Sequence, residues 1–299
     1  MSKVLITGIN GFIGKHIADY LCKCENEIIG IDVSAGNGTY NTIVCDMAKD
    51  DLTDILESAR PDIVIHCAGI ANVSYSIAHP DDDFEANTAV VHRLLYAMLR
   101  AGLTSSRVLF LSSAGVYGQP EILPISENTQ TSPISPYALH KRMAEDICSY
   151  FVDVHGMDIR IARIFSAYGP GLRKQLFWDM YQKVLADGNL QLFGTGEETR
   201  DFIYIDDLVR ALGLILEAKK STEYIYNVAN GKQVSIREVA GCFAKQMSDK
   251  IEVSFNNQNR KGDPDNWCAD ISKLHGLGYK QQVSLDEGIA QYIEWVRNN

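Results

Sequence analysis

Tyr137 and Lys141 stand four residues apart in Tyr137-Ala-Leu-His-Lys141, so a helix over this segment projects both from one face. A lysine ammonium beside a phenol favours the phenolate and lowers a pKa that is normally about 10. Tyr137 then becomes a proton donor or acceptor for an alcohol or a ketone. Ser113, just beyond an apolar run, can add a hydrogen bond to the same substrate oxygen. Alone, the pair fits equally well a half-buried helix whose lysine reaches out to water. A second motif upstream decides between the two.

Gly8-Ile-Asn-Gly11-Phe-Ile-Gly14 follows the apolar run Lys3 to Thr7 and opens an amphipathic segment. Glycines at this spacing permit a tight strand-to-helix turn and a close approach of a ligand to the backbone. Free amides at the helix start then receive a pyrophosphate. Asp32 closes the next apolar run, where a carboxylate accepts from both hydroxyls of an adenosine ribose and repels a 2′-phosphate. No arginine follows within the next several residues, so the pattern favours NAD over NADP. Asp46 and Met47, at the end of the third run, are expected to flank the adenine. With a dinucleotide in place, Lys141 gains the task of holding the nicotinamide ribose.

These residues need a sheet and helices to position them. Strand-like runs at Lys3 to Thr7, Glu27 to Asp32, Asn41 to Cys45, Asp62 to Cys67, Arg107 to Ser112 and Met157 to Phe165 are separated by helical stretches near Phe12 to Cys24, Asp81 to Ala101 and Pro136 to Val154. Runs that are apolar throughout imply a sheet covered on both faces. The expected class is therefore α/β, a Rossmann-type doubly wound parallel sheet of six or seven strands. Residues 1–168 are expected to form the NAD-binding domain with the Ser, Tyr and Lys site. Beyond Tyr168 shorter strands and helices predict a smaller C-terminal α/β substrate lobe over 169–299, some of whose segments return to the first domain.

At 299 residues and 46% hydrophobic, the composition is that of a folded globular chain, which excludes disorder and collagen. No apolar run reaches the ~18 residues of a membrane span, and Met1 to Gly14 reads as strand and loop rather than as a leader. A cytoplasmic protein without membrane contact is expected. With 28 Lys and Arg against 38 Asp and Glu and no basic cluster, nucleic acid is excluded as a partner. Seven scattered cysteines suggest reduced thiols, and no His spacing resembles a zinc site, so no metal is expected. His140, between Tyr137 and Lys141, is expected to face solvent or another subunit.

Taken together, the motifs resemble the extended short-chain dehydrogenase/reductase family, and within it the nucleotide-sugar epimerases, dehydratases and ketoreductases. The resemblance runs nearly end to end. It is carried by Thr7-Gly8 to Gly14, His66-Cys-Ala-Gly69, Asn87, Ser112-Ser-Ala-Gly-Val-Tyr-Gly118, Pro136-Tyr137 to Lys141, Arg163 with Tyr168-Gly-Pro-Gly171, Arg200-Asp-Phe-Ile-Tyr204 and Arg260-Lys-Gly-Asp263. It implies catalytic roles for Ser113, Tyr137 and Lys141. For the cofactor it implies Gly8, Gly11, Phe12, Ile13, Gly14, Asp32, Asp46, Met47, Ala68 and Gly69, together with Tyr137 and Lys141. By similarity to UDP-galactose 4-epimerases, Arg200, Arg260 and Asp263 would contact the nucleotide of a nucleotide-sugar substrate. Relatives dimerise through the two long helices near 81–101 and 136–154, so a homodimer is implied.

Three departures from the family pattern matter. Ser113-Ala-Gly115 lacks the Asp-Glu pair that the 4,6-dehydratases carry after the corresponding Ser or Thr, which argues against water elimination. Ser166 replaces an Asn that many relatives use on the substrate, and Ala71 stands where some 4-epimerases have Lys. The expected activity is NAD-dependent oxidation and reduction at C4 of a nucleotide sugar, with epimerisation preferred. The alternative is a 4-ketoreductase of a 4-keto-6-deoxy sugar nucleotide; a non-catalytic dinucleotide sensor ranks below both. Leu172 to Trp178 reads either as the basic, aromatic mouth of the substrate lobe or as the start of an amphipathic helix, and Phe193 either as a neighbour of the base or as core.

Overall fold

The computed structural model describes residues 1–221, 223–258, 262 and 264–299. Six strands pair in parallel: β1 (Lys3–Thr7), β2 (Glu27–Asp32), β3 (Asn41–Val44), β4 (Ile63–His66), β5 (Arg107–Ser113) and β6 (Asp158–Ile164). Ile225–Val228 makes the seventh strand, and the order across the sheet is Ile225–Val228, β6, β5, β4, β1, β2, β3. The direction of strand succession reverses between β1 and β4. In open sheets of this kind, ligands bind outside the carboxyl ends at that reversal. Leu5, Ile6, Val64, Ile65 and Leu109 have no exposed surface, so the sheet is covered on both faces as the apolar runs require. This is the Rossmann-type doubly wound α/β fold.

The helix that carries Tyr137 and Lys141 is closely specified at both ends. Ser135 accepts a hydrogen bond from the Ala138 amide, Pro136 occupies the first turn, and Gly156 ends the Pro136–His155 helix in the left-handed conformation at φ 66°. The single helix expected over Asp81 to Ala101 is instead three pieces, Pro80–Phe84, a π-helical turn at Glu85–Ala89, and Val90–Arg100. A π turn inserts one residue and rotates the helix beyond it, which a 3.6-residue period does not anticipate. Asp83 just before the turn and Asn87 and Thr88 within it are buried, while Val91, Leu94, Leu95 and Met98 enter the hydrophobic core after it.

The chain divides into two compact units. The first comprises Met1–Gly118, Gln130–Ile164 and Val209–Tyr226, and the second Gln119–Thr129, Phe165–Leu208 and Asn227–Asn299. Within the second, Ser166–Tyr168 pairs in parallel with Phe202–Tyr204, Leu190–Leu192 in parallel with Val253–Phe255, and Thr199–Arg200 antiparallel to Val234–Ser235. Its core is aromatic, with Tyr168 and Phe177 stacked at 4.5 Å and Tyr292 packed against Phe177. Among the described residues no helix is long and apolar enough to cross a membrane.

Candidate functional site

The glycine turn between β1 and α1 (Phe12–Lys23) leaves no room for side chains. A Cβ on Gly14 would lie 2.1 Å from the Gly8 carbonyl oxygen, and one on Gly8, at φ +67°, would lie 2.8 Å from the Ala68 backbone. Gly11 precedes α1 without a side-chain cap, which leaves the first-turn amides open to an anion. Phe12 and Ile13 open the helix half-buried.

Asp32 ends β2 beside this turn. Its Oδ2 accepts from the Asn10 amide at 3.0 Å and its Oδ1 from the Ser34 amide at 3.3 Å. The carboxylate is thereby held at the rim of the glycine loop. Asp46 accepts from Lys49 Nζ at 2.6 Å and from the Ala48 amide, and the Lys49 bond holds its carboxyl below the usual range. The Met47 side chain is buried in the core with Leu52 and Leu56.

On the opposite wall, the Ala68 amide donates to Thr7 Oγ1, which is hydrogen bonded to His66 Nδ1 at 2.7 Å. Burial pulls His66 down to about 3, so its imidazole is neutral. A Cβ on Gly69, at φ +143°, would sit 2.6 Å from Asn87 Oδ1. Asn87 donates to the Ile70 carbonyl and to Asp83 Oδ1, both at 3.0 Å, yet its buried Oδ1 has no protein partner, and neither has His66 Nε2. Buried polar atoms left open beside a glycine cradle, an uncapped helix start and a carboxylate at the strand end fit a dinucleotide. Asn87 is a site residue whose type and spacing assign it no role in the sequence. Its one signal there is its place in the family pattern.

Ser113 ends β5. Its Oγ accepts from the Gly115 amide at 3.1 Å, and the side chain stands near enough to the Tyr137 phenol to act on it. Burial pushes Tyr137 up to about 12, Ser113 opposes that, and the charge of Asp83 adds to it. Lys141 is buried on the inner side of the same helix, where Nζ donates to the Leu111 carbonyl at 3.0 Å and lies 5.0 Å from the Phe110 ring centroid. Burial lowers its ammonium to about 8, against the charges of Asp83 and Glu145. The phenol is thus raised by burial, where the sequence leads one to expect a lowering by Lys141, and Ser113 is the group that opposes the rise.

Behind these groups runs a buried ion-pair network. Glu145 accepts from Ser112 Oγ at 2.6 Å and pairs with Arg163 at 2.7 Å, and Arg163 donates to Tyr117 Oη at 2.9 Å. It joins β5, the turn after Ser113, β6 and the Tyr137 helix. The expectation for His140 is also corrected. It is 8% exposed, and its Nδ1 lies 2.6 Å from Oδ2 of Asp83, which has no exposed surface.

In the second unit, Ser166 and Arg200 are half-buried, on strands of two different two-stranded sheets. The Ser166 amide donates to the Asp201 carbonyl, and Arg200 donates to the Thr199 carbonyl at 2.8 Å with its guanidinium 5.7 Å from the Trp267 ring. Arg260 and Asp263 lie outside the described residues. Arg173 stacks between Trp178 and Trp295 at 5.7 and 5.5 Å, which supports the helix-start reading of Leu172 to Trp178. Phe193 is half-exposed under Lys183. Among the described residues no cluster of His, Cys, Asp or Glu is placed to hold a metal.

The model of the NAD dependent epimerase/dehydratase family matches residues 4–229. The UDP-glucose 4-epimerase of Mycolicibacterium smegmatis is 29% identical, over 99% of this chain and 99% of its own. The structure of UDP-glucuronic acid 4-epimerase from Bacillus cereus, in complex with UDP-glucuronic acid and NAD, superposes with a TM-score of 0.91 at 29% identity and covers 99% of both chains. That of UDP-glucose 4-epimerase from Thermotoga maritima, with UDP-glucose, gives 0.91 at 27% identity over 99% of each.

Proposed function

This chain belongs to the NAD dependent epimerase/dehydratase family, and on that footing we propose that it is an NAD-dependent nucleotide-sugar 4-epimerase with a UDP-sugar as substrate. The observation that carries this reading is that Ser113, at the end of β5, stands near enough to the Tyr137 phenol to act on it, with Lys141 one helical turn further on the same helix and the glycine turn in the same unit.

Each residue has a definite task. Gly8, Gly11 and Gly14 let the pyrophosphate approach the α1 amides, with Phe12 and Ile13 in the first turn supplying them. Asp32 accepts from the adenosine ribose, Asp46 and Met47 border the adenine, and Ala68 and Gly69 line the opposite wall. Lys141 donates to the nicotinamide ribose. When bound, NAD supplies a hydride acceptor that can return the hydride to the same carbon. Tyr137, as the phenolate that the positive charges of Lys141 and of NAD when bound would favour over the phenol, takes the proton of the C4 hydroxyl at its phenolic oxygen as hydride leaves, and gives it back after the 4-keto sugar has turned its other face. Ser113 hydrogen-bonds the same oxygen, which favours the shift of charge onto it. Ser166 and Arg200, with Arg260 and Asp263, are assigned to the sugar and the nucleotide, the arginines suiting a pyrophosphate.

We also assign a homodimer, with the enzyme in the cytoplasm. Leu139, Met143, Tyr150 and Val154 are exposed at spacings of four, seven and four along the Pro136–His155 helix, a single apolar stripe, and exposed Tyr96 lies on Val90–Arg100. The seven unpaired cysteines suit a reducing compartment.

The test is to purify the protein without added cofactor, denature it, and identify the released dinucleotide by chromatography with mass detection. An epimerase regenerates its oxidant in each cycle, so near-stoichiometric NAD is expected. An empty protein that binds NADPH better than NADH would transfer the assignment to the 4-ketoreductase.

A further inference from the structure

Asn10 has the only polar side chain in the turn from Gly8 to Gly14, and receiving a pyrophosphate on backbone amides gives that side chain no task. The fold gives it one. Its neighbour Ile9 is 2% exposed and packs inward so closely that a Cβ on Gly30 of β2 would lie 2.5 Å from its Cγ2. Asn10 is exposed and reaches the other way, over the segment that follows β2. Its Nδ2 donates to the Ser34 carbonyl at 2.7 Å and to Ser34 Oγ at 3.3 Å. The Gly8 amide donates to the Ile31 carbonyl at 2.8 Å and the Asn10 amide to Asp32 Oδ2 at 3.0 Å, so the turn is fastened to β2 and its exit at three points. Ser34 closes the ring, its amide donating to Asp32 Oδ1 at 3.3 Å. Gly36, at φ +66°, comes so near that a Cβ on it would meet Asn10 Oδ1 at 2.2 Å.

We propose that Asn10 is a positioning residue for the adenosine half of the dinucleotide: its side-chain amide clasps the Ser34 to Gly36 segment to the glycine turn and so holds the Asp32 carboxylate as the ribose needs it. The proposal rests on the assignment of the adenosine ribose to Asp32.

Two features of the ring support it. Asp32 is held through both oxygens, by Asn10 on one side of the clasp and Ser34 on the other, so its plane is fixed before a ligand arrives. A group set in advance spares the ligand the cost of ordering it. The far end of the same segment has its own anchor, Tyr40 Oη donating to Asp19 Oδ1 on α1 at 2.5 Å, so the clasp governs the end next to Asp32.

The experiment reads the cofactor and needs no turnover. Protein loaded with NAD is mixed with an excess of isotope-labelled NAD, and the rate of exchange is followed by mass detection. Asn10→Ala is expected to exchange about fivefold faster, as the loss of an exposed neutral hydrogen bond implies. Gly36→Ala, whose new Cβ drives the Asn10 amide off Ser34, is expected to accelerate exchange at least as much. In the double variant that Cβ has no amide to displace, so its effect is expected to fall well short of the product of the two single effects. Tyr40→Phe, which frees the far end of the segment, is expected to leave the rate unchanged. An unmoved rate in Asn10→Ala, effects of Asn10→Ala and Gly36→Ala that multiply, or equal acceleration by Tyr40→Phe overturns the proposal. If Asp32→Ala leaves exchange unchanged, the ribose assignment itself fails; if Asp32→Ala accelerates exchange and Asn10→Ala does not, only the clasp fails.

Discussion

Ser112 donates its hydroxyl to Glu145 across 2.6 Å, and this bond fastens the end of β5 to the helix that carries Tyr137 and Lys141. Glu145 is also the acid that pairs with Arg163, and both are almost fully buried. Removing one partner of a buried pair leaves the other charged and without compensation. Glu145→Leu is therefore expected to destabilise the protein by about 3–5 kcal/mol, measured by urea unfolding. A loss below about 1 kcal/mol, the range of an exposed pair, would show that the network contributes little.

Lys141 sets up a stability test with a definite sign. Burial lowers its ammonium from 10.5 to about 8 in the folded chain. Below pH 8 the lysine is charged in both states, so the folded state bears the whole cost of desolvation. Between 8 and 10.5 the unfolded chain binds more protons, so that cost fades as pH rises, and above 10.5 it is gone. Lys141→Met, though catalytically dead on this account, is expected to be more stable than the parent at pH 7, by about 1–3 kcal/mol. The gain shrinks through pH 8 to 10. Melting curves across that range check it, and a gain independent of pH would contradict the burial of a charged lysine.

The glycine turn is tested by adding one carbon. In Gly14→Ala the new Cβ meets the Gly8 carbonyl oxygen at 2.1 Å, so the backbone has to move. A loss of about 1–3 kcal/mol is expected, together with loss of the dinucleotide recovered from the purified protein. Gly241→Ala serves as the control, since its Cβ meets nothing within 4 Å in the Ile236–Met247 helix. That substitution is expected to leave both properties intact.

Charging the exposed stripe tests the dimer. Light scattering of the parent is expected to give twice the 33.2 kDa chain mass, and Leu139→Glu combined with Tyr150→Glu is expected to halve it. A parent that stays at the chain mass across a broad concentration range would refute the assignment.

The parts of this molecule legible in the sequence are those written in local spacing. Apolar runs mark β1 to β6, the three glycines and Asp32 mark the nucleotide turn, and a four-residue step marks Tyr137 and Lys141. Contacts between residues distant in sequence are not legible there. Asp83 meets His140 across 57 residues, and Glu145 on a helix meets Arg163 on β6, so no periodicity announces either pair. The π turn at Glu85–Ala89 is hidden for a related reason, because a helical pattern is read at 3.6 residues per turn and the inserted residue breaks that count only locally. Lys141 lies on the face that its spacing predicts, but its acceptor is a β5 carbonyl, a partner that side-chain spacing cannot specify. Val209–Tyr226 joins the first unit from far along the chain, which composition does not mark.

Inversion of C4 with Tyr137 as the proton carrier is the most direct test of the assigned chemistry. Purified protein, given UDP-glucose or UDP-glucuronic acid without added dinucleotide or reductant, would be followed by proton NMR at the sugar. The predicted result is an equilibrium mixture of the two C4 epimers with no net absorbance change at the nicotinamide band, and its disappearance in Tyr137→Phe. Inversion at full rate in Tyr137→Phe, or no inversion of either sugar by protein that carries NAD, would contradict it.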